Sequence, residues 1–343
     1  MLCAFTFLVA LGARGRPAFA HKNAGGVIGF VDSTGKVVIR DPALHDAGDF
    51  SGGLAPVKLH GKHGYIDRTG RMAIAPKYDA AGAFRGGLAR VVIGARVGYI
   101  DRQGRFVIPL KFESADEFSE GLARVRSAGK TGFIDRSGRF AIPPRFDGVA
   151  RFREGRARIG EGGRFGFIDR RGETVVPARF ERAYSFAGGL ARVRLNGKWG
   201  YIDRGGELVI PARYERAADF SQGLALVQLR GKRGFIDREG TFVAPLGCRL
   251  VDGFSGGLAL VTREKRFGFV DRAGKAAIPP RFESADRFSE DLARVTVDGK
   301  VGFIDRTGKM VIPPRFHAAR AFSEGLARVV IVEPGGLLDK APK

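Results

Sequence analysis

Cysteine is almost absent from this 343-residue chain, which has only Cys3 and Cys248, and tryptophan and methionine are also rare. Because Cys3 lies in an apolar segment that we expect to be removed, the mature chain has one thiol and no internal disulfide. Packing and backbone hydrogen bonds must therefore stabilise the fold. No nucleophile elbow, phosphate loop, HExxH or CxxC motif occurs, which argues against an enzyme and predicts no cofactor.

Glycine and phenylalanine are instead abundant, at 51 and 28 residues, and a bias of this kind indicates internal repeats. The pattern Gly-[Phe/Tyr]-[Ile/Val]-Asp occurs nine times, first at an interval of 35 residues and then of 34. Its aspartates are Asp32, Asp67, Asp101, Asp135, Asp169, Asp203, Asp237, Asp271 and Asp305. A second series with a constant interval of 34 is Phe50, Phe84, Phe118, Phe152, Phe186, Phe220, Phe254, Phe288 and Phe322.

One unit, residues 190–223, contains three predicted strands. Residues 190–195 form the first, and Asn196-Gly197 predicts a type I′ hairpin turn leading to the second at 199–203. A tight turn that begins at Asp203 leads to the third strand, which we expect Pro211 to end. The fold class is therefore all-β, a tandem array of nine three-stranded antiparallel units of about 34 residues, without helical periodicity.

Units this small must stack on their neighbours to bury a core. We expect three sets of repeated apolar positions to supply it, namely the Phe84 series, the Tyr78, Phe112 and Phe146 series, and Leu88 with Leu122. Tyrosine replaces phenylalanine at Tyr65, Tyr99 and Tyr201, where the hydroxyl should reach a wet rim or a local acceptor.

The segment Lys198-Trp199-Gly200-Tyr201-Ile202-Asp203, with the Ile-Pro and Phe-Ser-x-Gly-Leu-Ala that follow it, resembles the WG (Trp-Gly) repeat of bacteria. The resemblance covers about residues 27 to 330, although tryptophan stands only at Trp199. Elsewhere the position holds His63, Val97, Thr131, Phe165, Arg233, Phe267 or Val301. The resemblance implies a tandem β-rich fold and a role in interactions.

Two arrangements of the array are open. We favour an open, superhelical, solenoid-like array, because nine units exceed the usual number of propeller blades and three strands are fewer than a blade normally has. The alternative is a closed, β-propeller-like ring. In it, the first strand of the last unit, near residues 326–331, pairs with the second strand of the first unit, near 27–32.

The ends of the chain suggest export. An apolar run at 2–11 precedes Ala18-Phe19-Ala20, which predicts a signal peptide over 1–20 and a periplasmic or secreted location. The repeat domain is then 21–332, and a polar tail follows at 333–343. No second hydrophobic stretch is long enough to span a bilayer.

A feature that recurs nine times is either part of the architecture or one of a set of equivalent binding sites. The repeated aspartates stand at the start of tight turns, so we interpret them as acceptors for the amides of those turns. The arginines that follow these aspartates are either solvated surface residues or a row of side chains that faces a polyanion or another partner. The candidate binding residues are Arg68, Arg102, Arg136, Arg170, Arg204, Arg238, Arg272 and Arg306.

His60 and His63 flank a hairpin turn, and a two-histidine metal site there is a weaker hypothesis than a structural role.

The first functional hypothesis is a non-enzymatic scaffold that binds a protein partner of the envelope. The alternative, which rests on the net charge of +22, is a binder of lipopolysaccharide or acidic polysaccharide, with nucleic acid as the weakest candidate. An enzyme is the third and least favoured hypothesis.

Overall fold

The computed structural model describes residues 26–245 and 249–331. These residues form nine antiparallel sheets, eight with four strands and one with three. In chain order the strands are β1 (Val27–Val31), β2 (Val37–Arg40), β3 (Asp46–Ala47), β4 (Leu54–Leu59), β5 (Lys62–Asp67), β6 (Met72–Tyr78), β7 (Ala80–Arg85), β8 (Leu88–Ile93), β9 (Arg96–Ile100), β10 (Phe106–Phe112), β11 (Ser114–Ala115), β12 (Ala123–Ser127), β13 (Lys130–Ile134), β14 (Phe140–Phe146), β15 (Ala157–Glu161), β16 (Arg164–Ile168), β17 (Thr174–Phe180), β18 (Arg182–Ala183), β19 (Ala191–Leu195), β20 (Lys198–Ile202), β21 (Leu208–Tyr214), β22 (Arg216–Ala217), β23 (Ala225–Leu229), β24 (Lys232–Ile236), β25 (Phe242–Pro245), β26 (Arg249–Ser255), β27 (Leu258–Arg263), β28 (Arg266–Val270), β29 (Ala276–Phe282), β30 (Ser284–Ala285), β31 (Ala293–Val297), β32 (Lys300–Ile304), β33 (Met310–Phe316), β34 (Ala318–Ala319) and β35 (Ala327–Ile331).

Each sheet is one blade, and its strands are called a, b, c and d in the order of β3, β4, β5 and β6. The b and c strands meet at a hairpin. At Asn196 and Gly197 the φ angles are 49° and 74°, as the predicted type I′ turn requires. The c and d strands meet at a turn in which one oxygen of Asp203 accepts hydrogen bonds from the amides of Gly205 (3.0 Å) and Glu207 (2.9 Å). The repeated aspartates are therefore turn acceptors, as predicted.

The blade has one more strand than the sequence predicted. The a-strand is short, and in most blades it pairs only two residues with the b-strand, for example Arg182 with Arg194 and Ala183 with Val193. Two paired residues leave no alternating pattern in a sequence, so only three strands were predicted. In the three-stranded sheet a single bridge between Val149 and Ile159 stands at this place.

The d-strand also runs further than predicted. It does not end at Pro211 but continues to Tyr214, with a register shift between the pairs Tyr201–Ile210 and Trp199–Tyr214. Proline is tolerated because d is the edge strand of the sheet and pairs with c only, so its missing N–H interrupts no ladder on the other side.

The array is closed, so the favoured open superhelix is wrong and the alternative ring is correct. Strand β35 pairs with β1 over five residues, from Val27–Ile331 to Val31–Ala327, and completes a blade from the two ends of the array. Closure pairs two edges that an open array would expose to solvent. The fold is thus a nine-bladed β-propeller.

The segments that join the a- and b-strands are in direct contact between adjacent blades. The hydroxyl of Ser119 donates to the carbonyl of Phe152 (3.2 Å), and that of Ser323 donates to Phe50 (2.8 Å) across the closure.

The core lies between blades and uses the predicted positions. In one such cluster, Leu190, Tyr201 and Tyr214 of one blade pack on Phe220 and Val227 of the next. Within the described ranges, no helix has the length and hydrophobicity needed to cross a membrane.

Candidate interaction face

The strand order gives the ring two different faces. Because successive strands are antiparallel, all a–b turns and c–d turns lie on one side, which we call the turn face. The b–c hairpins lie on the opposite side, which we call the hairpin face. The Asp-Arg sequence of every c–d turn therefore belongs to the turn face.

All eight predicted arginines lie on the turn face and are exposed, so the structure brings the whole series to one side of the ring. Within the described residues, five of them also hydrogen-bond to the preceding blade, which the sequence did not indicate. Arg170 donates to the carbonyl of Glu120 (2.7 Å), and Arg272 donates to that of Gln222 (2.9 Å). Arg68 makes the same contact with Glu324 (2.5 Å) across the closure. The series thus links blades while its guanidinium groups remain accessible.

A second set of links joins the a–b turns to each other. The carboxylate of Glu154 accepts hydrogen bonds from the amides of Gly188 (2.7 Å) and Gly189 (2.8 Å) in the next blade. It also lies 3.1 Å from Arg204. Burial alone would raise the pKa of Glu154, but the hydrogen bonds from Arg204 and the two amides outweigh it, so this pKa is lowered.

The same carboxylate link occurs at other turns of the ring. Glu120, Glu290 and Glu324 each bind the two corresponding amides of the following blade, the last of them at Gly52 (2.6 Å) and Gly53 (2.9 Å). These glutamates adopt φ angles of 50° to 53°. Sequence reasoning did not identify them, although their recurrence before Gly-Leu or Asp-Leu at multiples of the repeat length was a visible signal.

At Gly188 the carboxylate link is interrupted because glycine replaces glutamate. The amides of Gln222 and Gly223, which correspond to those bound by Glu154, have no hydrogen-bond partner within the described part of the chain. Beside them is an open pocket of about 590 Å³ on the turn face. It is lined by Glu154, Gly188, Gly189, Asp203, Arg204, Gly205, Gln222, Gly223 and Arg238.

The hairpin face carries a basic series that sequence reasoning missed. A Lys or Arg begins the c-strand in eight repeats, always at an interval of 34 residues, and each is exposed. The members are Lys62, Arg96, Lys130, Arg164, Lys198, Lys232, Arg266 and Lys300. Lys62 pairs with Asp79 and Lys130 with Asp147, both at 2.5 Å. Their period was the signal that could have revealed them.

Other predicted residues have local structural roles. The hydroxyls of Tyr65, Tyr99 and Tyr201 donate to carbonyls of the next blade, at 2.8, 2.6 and 2.8 Å, so the prediction of a local acceptor is confirmed. Trp199 is half-buried, with its ring 5.8 Å from that of Tyr184. His63 Nδ1 lies 3.0 Å from the carbonyl oxygen of Asp79. Among the described residues, no three His, Cys, Asp or Glu side chains are grouped as a metal site would require.

The predictions for the chain ends concern residues outside the described ranges. These are the signal peptide at 1–20, its cleavage pattern, the tail at 333–343 and Cys3. The same holds for the side chain of Cys248.

The fold and the ring of turns define a class, that of closed β-propellers with blades linked through their turns. The model of the WG containing repeat matches nine segments, at residues 28–62, 64–95, 98–130, 132–164, 165–199, 199–232, 234–265, 267–300 and 302–331. The chain therefore belongs to the WG-repeat family.

Of the solved structures that follow, the first supports the fold, and only the fold. A structure described as the eukaryotic initiation factor is similar with a TM-score of 0.58 at 12% identity, covering 88% of this chain and 98% of that one. The dihydro-heme d1 dehydrogenase NirN gives a TM-score of 0.44 at 13% identity, with 94% and 76% covered. Hsv2p of Kluyveromyces lactis gives 0.39 at 10% identity, with 73% and 91% covered. No curated protein sequence matches the chain.

Proposed function

We propose that this chain is an exported, non-enzymatic scaffold whose turn face binds a protein partner of the cell envelope. The observation that carries the proposal is the ring of exposed arginines, five of which hydrogen-bond to the preceding blade. Arg170 and Arg272, for example, keep donors accessible while they donate to backbone carbonyls. A side chain that is already ordered loses less conformational entropy on binding.

The mixture of charges on this face favours a protein over a uniform polyanion. Each arginine of the series directly follows an aspartate, and Glu120, Glu154, Glu290 and Glu324 lie on the same side of the ring. A surface with both signs in fixed positions selects a partner by complementarity rather than by net charge. We expect binding to survive moderate salt and to involve a few adjacent blades.

Export is supported by the sequence alone. The apolar run at 2–11 and Ala18-Phe19-Ala20 are the features on which this part of the proposal rests.

The proposal is tested by site-specific photo-crosslinking in cells that produce the full chain. A photo-reactive residue replaces Arg139, which is exposed in a c–d turn, or Ala95, which is exposed in a hairpin on the other face. We expect a discrete protein adduct from position 139 and none from position 95. Adducts from position 95 only, or from neither position, would contradict a protein partner on the turn face.

A second candidate function, binding to an anionic glycan or to lipopolysaccharide, is favoured by the basic series on the hairpin face. Lys198, Lys232 and Lys300 belong to this series and have no ion pair within the described residues. An exposed ring of like charges suits a ligand with regularly repeated anionic groups, and such binding falls steeply with salt.

The second candidate is tested by measuring lipopolysaccharide binding across a salt series. Replacing Lys198, Lys232 and Lys300 by serine should weaken binding and flatten its salt dependence. The matched variant replaces Arg136, Arg170 and Arg272 of the turn face by serine. A larger loss in the turn variant would assign the polyanion site to the predicted arginines. No binding at low salt would refute this second function.

A further inference from the structure

The glycine turn at Gly188 differs from the glutamate turns in a way that defines a ligand. At Glu154 the chain provides a carboxylate, which two backbone amides and an arginine bind together. At Gly188 the chain has the corresponding amides, those of Gln222 and Gly223, but no carboxylate. The polar groups that bind a carboxylate elsewhere in the ring are thus repeated here without one.

The geometry at Gly188 places the missing carboxylate in the pocket. A Cβ built on Gly188 would lie 3.2 Å from the Cβ of Phe220, so its side chain would point towards the a–b turn of the next blade. A Cβ built on the adjacent Gly189 would meet the guanidinium of Arg238. Arg238 and the two amides therefore surround the position that a glutamate side chain would take, and all of these residues line the pocket.

The charges around the pocket also favour a carboxylate at this site. Arg238 has no hydrogen bond or ion pair within the described residues, so its charge is available. Gln222 stands where other turns have glutamate, and its side-chain oxygen binds the amide of Gly257 (3.0 Å). A neutral residue here does not repel an incoming anion. Glu154 and Asp203 also line the pocket, but Glu154 binds two amides and Arg204, and Asp203 binds the amides of its own turn.

The other glycine turns are less suited to bind an anion. At Gly52 the arginine of the next blade, Arg102, already donates to the glycine carbonyl. At Gly86 and Gly256 the following turns contain Glu120 and Glu290, which are negatively charged. The turn after Gly256 also contains Asp291, which pairs with Arg306 (2.6 Å).

We propose that the Gly188 pocket binds an acidic side chain of the protein partner, whose carboxylate accepts hydrogen bonds from the amides of Gln222 and Gly223 and pairs with Arg238. The bound carboxylate takes the place that glutamate occupies at Glu154 of the preceding blade. This inference rests on the proposed docking function and assigns one chemical contact within it. Charge-assisted hydrogen bonds from amides and a guanidinium are among the stronger polar contacts in proteins.

The test measures binding of a labelled hexaglutamate peptide to the full chain by fluorescence anisotropy, at about 0.15 M salt to screen long-range attraction. Gly188→Glu supplies the carboxylate from within the chain, and we expect it to weaken peptide binding by about tenfold or more. The variant should fold because Glu120, Glu154, Glu290 and Glu324 already adopt this left-handed conformation. Arg238→Gln, which does not depend on that conformation, should weaken binding by a similar factor.

The charge-matched control is Arg216→Gln, which removes an exposed arginine away from the pocket and should leave binding unchanged. Equal loss in all three variants would show attraction to net charge and would overturn the site, as would unchanged binding in Gly188→Glu. Equally tight, Gly188-dependent binding of a galacturonate hexamer would overturn the assignment to an acidic protein segment.

The two proposals can fail separately. If the adduct from position 139 persists while the wild-type chain does not bind hexaglutamate, the carboxylate contact is wrong and the docking function stands. If hexaglutamate binds as expected and no protein adduct forms, the docking function is wrong.

Discussion

Two neighbouring seams of the ring have the same core and different turns. The Glu154 seam, between the blades β15–β17 and β18–β21, packs Phe167 on Phe186 with ring centroids 5.0 Å apart. The Gly188 seam, between the blades β18–β21 and β22–β25, packs Tyr201 on Phe220 at 4.9 Å. Between the a–b turns, however, a carboxylate binds amides of the next blade only in the first seam. The apolar core therefore holds adjacent blades together in both, and the turn residues are free to differ.

The largest expected effect tests the shared core. Phe186→Ala and Phe220→Ala should each lower the free energy of unfolding by about 3 to 5 kcal/mol, because each empties a buried ring position of a seam. Urea denaturation followed by circular dichroism measures both. A denaturation midpoint that stays at the wild-type value for either variant would refute the assignment of that phenylalanine to the core.

The next effect tests the difference between the turns. Glu154→Ala leaves the amides of Gly188 and Gly189 without their acceptor and should cost roughly 1 to 3 kcal/mol in unfolding free energy. Gln222→Ala, the matched change in the seam that follows the Gly188 seam, should cost less, since Gln222 binds one amide. Equal losses in the same urea experiment would mean that the carboxylate link adds no stability.

A smaller effect is expected from the hydroxyl that distinguishes Tyr201 from Phe167. Tyr201→Phe removes the hydrogen bond to the carbonyl of Ala218 and keeps the ring contact, so the loss should be about 1 kcal/mol. Tyr99→Phe, which removes the equivalent bond to Asp116, serves as a second measurement. A gain in stability in both would show that the hydroxyl is not needed at the seam.

The smallest effect concerns pH. Because the pKa of Glu154 is lowered in the folded state, its ionised form contributes stability above the unfolded pKa of about 4.3, and this contribution is lost as the pH falls through the folded pKa. The stability difference between wild type and Glu154→Gln should therefore shrink between pH 7 and strongly acidic pH. Thermal denaturation at several pH values measures it, and a difference that widens in acid would contradict the proposed link.

Much of the blade was predictable because its signals are local. Asn196-Gly197 encodes a hairpin and Asp203 a turn, since both depend on the conformational preferences of a few adjacent residues. The extension of the d-strand beyond Pro211 was not predictable, because only the position of that strand at the sheet edge makes proline acceptable.

The candidate site was predicted in part. The arginine series was identified from its period, and its members do share one face. Their bonds to the preceding blade escaped prediction, because Arg170 and Glu120 are 50 residues apart and meet only when blades pack. The Gly188 pocket was not predicted for the same reason. Arg238 is distant in sequence from Gly188 and lies beside it only in the ring.

The sequence by itself determined the all-β class, the number of repeats, the core positions and the turns, because a period of 34 residues imposes the same local physics nine times. Only the tertiary structure decided that the array closes, that most blades have a short fourth strand, and that arginines and glutamates join adjacent blades. Closure depends on the angle between neighbouring blades summed around the ring, and that angle comes from packing between residues remote in sequence.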